Sequence, residues 1–142
     1  MQLIKLYTKR KYYVYYPLVF YWLMLFIGTT IPGKSLPSFG GSDKIKHLLG
    51  YFGLSILLNI TFIVQQKYDW LRKYSILCTT LCAGFYGIID ELHQSFIPGR
   101  SCDIFDWIAD VIGALISVIV VKYFVLPVFE NQKNILNGQE QH

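Results

Sequence analysis

Charge is scarce in this chain. Only 15% of its 142 residues are Asp, Glu, Lys or Arg, against about a quarter in a soluble domain. Cysteine is scarce as well, and three residues, an odd number, do not make a disulfide scaffold. No long linker, internal repeat or low-complexity tract interrupts the chain, whose length suits one domain. Alanine is missing before Ala83, so the small-residue cleavage site of a secretory signal has no place to lie. What is abundant is apolar surface: 54% of residues are hydrophobic and 17% aromatic. That excludes disorder and points to lipid as the solvent.

A helix needs about 20 mainly apolar residues to cross the hydrocarbon layer. Four stretches qualify, and the expected spans are about 12–33, 44–66, 73–94 and 103–125. The first three hold long uncharged runs, Tyr12 to Gly33, Leu48 to Gln66 and Tyr74 to Ile89. The fourth is uncharged only from Val111 to Val121, with Asp103, Asp106 and Asp110 before it. Lys5, Lys9, Arg10 and Lys11 ahead of the first span read as an uncleaved signal-anchor resting on anionic lipid, not as a nucleic-acid site. Tyr12, Tyr13, Tyr15 and Tyr16 fit an interfacial aromatic belt, and Trp107 fits one at the other face.

Punctuation agrees. Phe39-Gly40-Gly41-Ser42-Asp43 offers a turn and two N-caps before the second span, and Pro98-Gly99-Arg100-Ser101 breaks the chain before a fourth helix capped by Ser101 or Asp103. The expected fold class is all-α: a four-helix transmembrane bundle with antiparallel neighbours occupying residues 1–126. A tail, 127–142, is expected to be disordered.

Lysine and arginine set the expected orientation. Nine would lie on the side of the termini (Lys5, Lys9, Arg10, Lys11, Lys67, Arg72, Lys73, Lys122, Lys133), and four on the other (Lys34, Lys44, Lys46, Arg100). Both termini are therefore expected in the cytoplasm. Six of the nine acids fall on the opposite, outer side, so the net charge of +4 divides into +6 inside and −2 outside.

That division gathers three polar stretches at one end of the bundle. Residues three and four apart share a helix face. Asp43, His47 and Tyr51 make one stripe, Tyr86, Asp90 and Gln94 a second, and Asp103, Asp106 and Asp110 a third, continued by Gly113 and Ser117. Gly113 and Ser117 also form a small-xxx-small pair suited to close helix approach. Asp110 lies about two turns into its helix, and an ionisable residue at such depth marks a functional site by default.

Asp43-Lys44-x-x-His47 with Tyr51, then Asp90-Glu91-x-x-Gln94, Phe96, Pro98-Gly99-Arg100, Asp106 and Gly113, resemble the motifs of VanZ-like membrane proteins. The resemblance runs from about Asp43 to Ser117. It implies a small multi-span protein of the bacterial cytoplasmic membrane, in a family named for an accessory protein of low-level resistance to the glycopeptide teicoplanin. It supplies no agreed reaction. Where such proteins often have Asn, this chain has Asp110.

Two functional readings follow. In the first, an enzyme acts at the outer leaflet on a membrane lipid or lipid-linked cell-wall precursor. Asp90, Glu91, Asp106 and His47 are the catalytic candidates, as acid/base groups or as ligands to a divalent cation. Lys44, Arg100, Gln94, Asp43, Tyr51 and Asp110 would hold the substrate, with Arg100 and Lys44 on its phosphate. In the second, the same cluster binds or shields a headgroup without chemistry. A purely structural network is the bland alternative, although membrane hydrogen bonds are too weak to need ten polar residues. Transport is disfavoured, because the inner half shows no polar residues to continue a path. Cys78 and Cys82 read as packing residues, Cys102 as unpartnered, and His93 and His142 as exposed. No nucleic-acid partner is implied, and the oligomeric state is open.

Overall fold

A computed structural model describes residues 12–32, 43–65 and 67–128. The basic N-terminus, the glycine turn before the second span with its candidate cap Ser42, and the tail beyond Val128 lie outside the described residues. The chain forms α1 (Tyr12–Thr30), α2 (Asp43–Val64), a short α3 (Asp69–Lys73), α4 (Ser75–Gln94) and α5 (Ile104–Val120). A π-helical turn, Val121–Val125, continues α5 as far as Val128. No strand occurs among the described residues. Four helices, Tyr12–Thr30, Asp43–Val64, Ser75–Gln94 and Ile104–Val128, are long and apolar enough to cross a membrane. The third expected span starts later than its sequence suggests, because Tyr74 separates α3 from α4.

Burial is distributed as lipid requires. Large apolar side chains such as Phe20, Leu81, Phe85, Ile119 and Phe124 are exposed, since hydrocarbon solvates them as well as a core would. Small and polar side chains fill the interior. The apolar core is short: Tyr51, Leu54, Ala83 and Ala114, with Leu18, Tyr21, Leu25 and Tyr86 packed against it.

The closest approach is between α2 and α5, and Gly113 permits it. A Cβ at this position would collide with the backbone carbonyl of Leu48 and lie 3.0 Å from the amide nitrogen of Phe52. The small-xxx-small pattern thus has the role its sequence suggests. α1 is peripheral: apolar all round, it buries only Val14. It is tied to α2 by Tyr21, whose hydroxyl donates to the Gly50 carbonyl at 3.2 Å.

The turn into α5 sets the register of the site. Gly99 has φ 77°, in the left-handed region that glycine enters freely, and the Arg100 amide closes the turn on Ile97 O at 3.1 Å. Of the two expected caps, Asp103 serves: its carboxylate accepts from the Phe105 amide at 2.9 Å. Trp107, expected in an interfacial belt, also makes a contact within the bundle. It is half-buried, and its indole N–H donates to Gly84 O at 2.9 Å, pinning α5 to α4.

Candidate functional site

The N-terminal turns of α2 and α5 and the C-terminal turn of α4 meet at one end of the bundle. There they bury His47, Asp90, Glu91, Gln94, Asp106 and Asp110. These polar groups can lie inside because each reaches a side chain on another helix, itself or through one intermediary. His47 Nδ1 lies 3.0 Å from Asp110 Oδ1 and 3.8 Å from Glu91 Oε1. The Gln94 amide nitrogen lies 3.4 Å from His47 Nε2 and donates to Asp90 Oδ2 at 3.3 Å. A Gln94 N–H directed at Nε2 makes that nitrogen the acceptor. The ring proton is then on Nδ1, facing Asp110. His47 is thereby oriented by a carboxylate on one side and presents a basic nitrogen on the other.

Glu91 has a second attachment. Its Oε2 accepts the Asp103 amide at 2.8 Å, joining the end of α4 to the cap of α5. Lys44 bridges the rim, 2.8 Å from Asp103 Oδ2 and 3.2 Å from Asp106 Oδ1. The ammonium beside Asp103 holds that carboxyl below the usual carboxylate range.

Arg100, expected to face a phosphate, is engaged by groups of the protein itself. Its Nη1 donates to Gln94 Oε1 at 2.9 Å, Nη2 to Gly28 O at 3.1 Å and Nε to Ile31 O at 3.1 Å. It is a clamp that satisfies the carbonyls at the end of α1 and fixes which way Gln94 points. Asp43 stands apart from the network: exposed, it pairs with Lys46 at 3.0 Å. Tyr51 lies beneath the cluster, stacked on Tyr86 with ring centroids 5.9 Å apart.

Two cavities flank this cluster. One of about 280 Å³ is lined by Met24, Leu25 and Gly28 of α1 and by Asp43, His47, Tyr51, Asp90 and Arg100 among others. The other, about 230 Å³, lies between α4 and α5, bounded by Ile88, Glu91, Leu92, Cys102, Ile104 and Trp107. His47 lines the first of them and Glu91 the second. Oxygens Oδ1 of Asp90, Oε1 of Glu91 and Oδ2 of Asp110 are buried and without a hydrogen-bond partner among the described residues. One ring nitrogen of His47 and one carboxylate oxygen each of Glu91 and Asp106 lie within 4.8 Å of one another, a spacing that suits a metal ion.

The profile of the VanZ/LLP1 family matches residues 2–126. The chain belongs to the VanZ/LLP1 family. An uncharacterised protein of Schizosaccharomyces pombe is similar, 27% identical over 79 residues, which is 56% of this chain and 46% of the yeast protein. The chain thus spans less than half the length of that relative. No solved structure matches.

Within this VanZ/LLP1 chain some residues went unnoticed in the sequence. Ser55, Asn59, Thr61, Ser75 and Thr79 are buried in the far half, and Ser117, expected to continue the α5 stripe and to allow close packing, is buried with them. The expectation of a far half without polar residues is therefore corrected. A signal was present: His47, Tyr51, Ser55 and Asn59 recur every four residues on α2, as do Ser75, Thr79, Ala83, Gly87 and Glu91 on α4. Uncharged residues simply do not register in a reading based on charge. Two further residues differ from expectation. His93 is half-buried and stacks on Phe26, centroids 5.0 Å apart. Cys82 is exposed on the lipid side instead of packed, while Cys78 is half-buried.

Proposed function

We propose that this multi-pass VanZ/LLP1 protein takes the polar head of a membrane lipid or lipid-linked cell-wall precursor into the charged end of its bundle. One observation carries the reading: the larger of the two cavities is lined both by apolar Met24 and Leu25 of α1 and by polar His47 and Asp90 of α2 and α4. A ligand that is half lipid and half headgroup matches both kinds of lining. His47, oriented by Asp110, is the base of the site. Asp90, Glu91 and Asp106 supply acid groups or positive-charge recognition, and Asp43 and Lys44 form the rim. In this reading the protein lies in a bacterial cytoplasmic membrane with both termini inside, as the nine-to-four distribution of Lys and Arg favours. The charged end then faces outward, where cell-wall precursors meet glycopeptides, and the protein lowers teicoplanin susceptibility.

A second reading, a binding or shielding protein without chemistry, is favoured by Lys44 and Arg100. Both cations already pair within the protein, so contact with a phosphate would compete with those pairs. Incubating the purified protein with lipid-linked precursors separates the two. Turnover that disappears in His47→Ala establishes the enzyme, whereas saturable binding with unchanged lipid establishes the binder. Loss of teicoplanin protection in Asp90→Ala and Glu91→Ala at normal abundance supports either. Cysteine labelling at Ser38 and Gly99 from outside, with Gln66 and Gln132 protected, is the expected orientation.

A further inference from the structure

We propose that His47, Glu91 and Asp106 hold one divalent transition-metal ion. The inference rests on the lipid-head reading above and names a cofactor for the same site, in which His47 serves the ion as a ligand in place of acting as base. Its first ground is geometric. The three side chains come from α2, α4 and α5, all are buried, and one donor atom of each lies within 4.8 Å of the others. Ligands at tetrahedral angles, with bonds of about 2.1 Å, stand about 3.4 Å apart. The donor atoms, within 4.8 Å of one another, close on an ion by drawing together by up to roughly 1.4 Å, which side-chain rotation allows.

Its second ground is independent of spacing. Glu91 is only 3% exposed, yet its Oε1 has no hydrogen-bond partner and faces His47 Nδ1 at 3.8 Å. The other oxygen, Oε2, is bound by the Asp103 amide, so the carboxylate cannot turn away to relieve its partner. Counting charge gives the same answer. Asp90, Glu91, Asp106 and Asp110 are four buried carboxyl groups. Among the described residues only Lys44 pairs with any of them as a permanent cation, and it reaches only Asp106. Arg100 pairs with an amide and carbonyls instead. A buried negative charge without a counter-charge costs several kcal/mol, and a divalent ion supplies that charge at the place where it is missing.

The donor set narrows the ion. Imidazole favours first-row transition metals and carboxylates favour harder ions, so one nitrogen with two carboxylate oxygens suits Mn(II) or Zn(II) better than Mg(II) or Ca(II). Asp110 lies 3.0 Å from the same Nδ1 that faces Glu91. The ion therefore replaces the Nδ1 proton, which passes to Nε2 with loss of the 3.4 Å Gln94 contact, and Asp110 stands beside the ion. Lys44, exposed at the rim, swings off Asp106 when the ion enters.

The test uses the full chain in detergent or nanodiscs, freed of metal by chelation and titrated with Mn(II). Expected is saturable uptake of one ion per chain, a rise in melting temperature, and nitrogen hyperfine modulation from one coordinated imidazole in the wild-type protein. Glu91→Gln and Asp106→Asn, which keep shape, weaken uptake at least about tenfold, the least that loss of even a supporting group costs. Asp69→Asn, at an exposed and distant position, leaves it unchanged. Absence of saturable uptake, absence of the nitrogen signal, or undiminished uptake in both variants overturns the metal. Lipid capture is measured separately, on chelated protein by photo-crosslinking. Capture without metal uptake ends this inference and leaves the lipid reading intact, while uptake without capture does the reverse.

Discussion

The two halves of this bundle both bury unpartnered polar atoms, but among the described residues only the charged end also joins its polar side chains to one another. At the charged end, His47 meets Asp110, Gln94 meets Asp90 and Arg100, and Lys44 meets Asp103 and Asp106, each contact joining elements distant in sequence or closing a helix end. In the far half, Ser55 Oγ, Thr79 Oγ1 and both amide atoms of Asn59 are buried without any partner among the described residues. Ser117 there bonds back to Ala114 O at 2.7 Å on its own helix. Strong, mutually oriented contacts mark a place where geometry is held for a purpose. Small uncharged residues let helices approach, and their polar atoms are tolerated at modest cost. A network shared among helices is thus a better indicator of function than buried polarity alone.

The largest expected effect tests whether close packing underlies both halves. Gly113→Leu drives a side chain into the backbone of α2, costing about 3 kcal/mol or more by overpacking. Abundance in the membrane and resistance to denaturant should both collapse. Unchanged stability would mean that α2 and α5 are not in the contact described.

Next comes the centre of the charged end. Asp110→Ala leaves His47 without its carboxylate, and breaking a buried pair costs about 3–5 kcal/mol. Asp110→Asn keeps an acceptor for the Nδ1 proton and should retain most of that stability, as its family resemblance suggests. Equal losses in the two variants would show that charge, not the hydrogen bond, matters here. Arg100→Ala frees the end of α1 and the orientation of Gln94, for about 2 kcal/mol. Faster disulfide trapping between cysteines placed in α1 and α4 would report the loosening. Arg100→Lys should rescue little, because an ammonium cannot reproduce three donations in fixed directions.

A smaller effect belongs to the rim. Asp103 titrates below its ordinary value of about 3.9 because of Lys44. Its stabilising contribution is therefore complete above that ordinary value and disappears as pH falls through the lowered one. The difference in melting temperature between wild type and Asp103→Ala should be flat at neutral pH and shrink only in strong acid. The least effect is expected in the far half. Asn59→Leu keeps the branched outline while removing two unpartnered atoms, so stability should change by less than about 1 kcal/mol, or rise. A large loss would place Asn59 in a network of its own and erase the contrast between the halves.

Much of the charged end was legible because charge inside lipid is rare and helical periodicity assigns it a face. Asp43 to His47, Asp90 to Gln94 and Asp103 to Asp110 converge on one end by antiparallel connection alone. What the periodicity did not contain was who pairs with whom. Arg100 is a cation in a polar loop by sequence. Only the approach of α1 reveals that carbonyls of Gly28 and Ile31 need its donors. Asp43 shares a stripe with His47, yet it lies at the very start of α2, where solvent and Lys46 are nearer than the cluster. Asn59 and Thr79 escaped because an uncharged polar residue hardly disturbs hydropathy, and its burial depends on the neighbouring helix.

The sequence by itself determined that the chain is helical and bound to lipid, with four spans and its acids gathered at one end. Those properties follow from local composition and a period of 3.6, which each helix satisfies alone. The packing of the helices fixes that His47 faces Asp110, that Glu91 retains an unpartnered oxygen, and that Arg100 binds the end of α1 and Gln94. Such outcomes rest on distances of a few ångströms between helices, and Gly113 sets the α2–α5 spacing that a sequence read one span at a time does not contain.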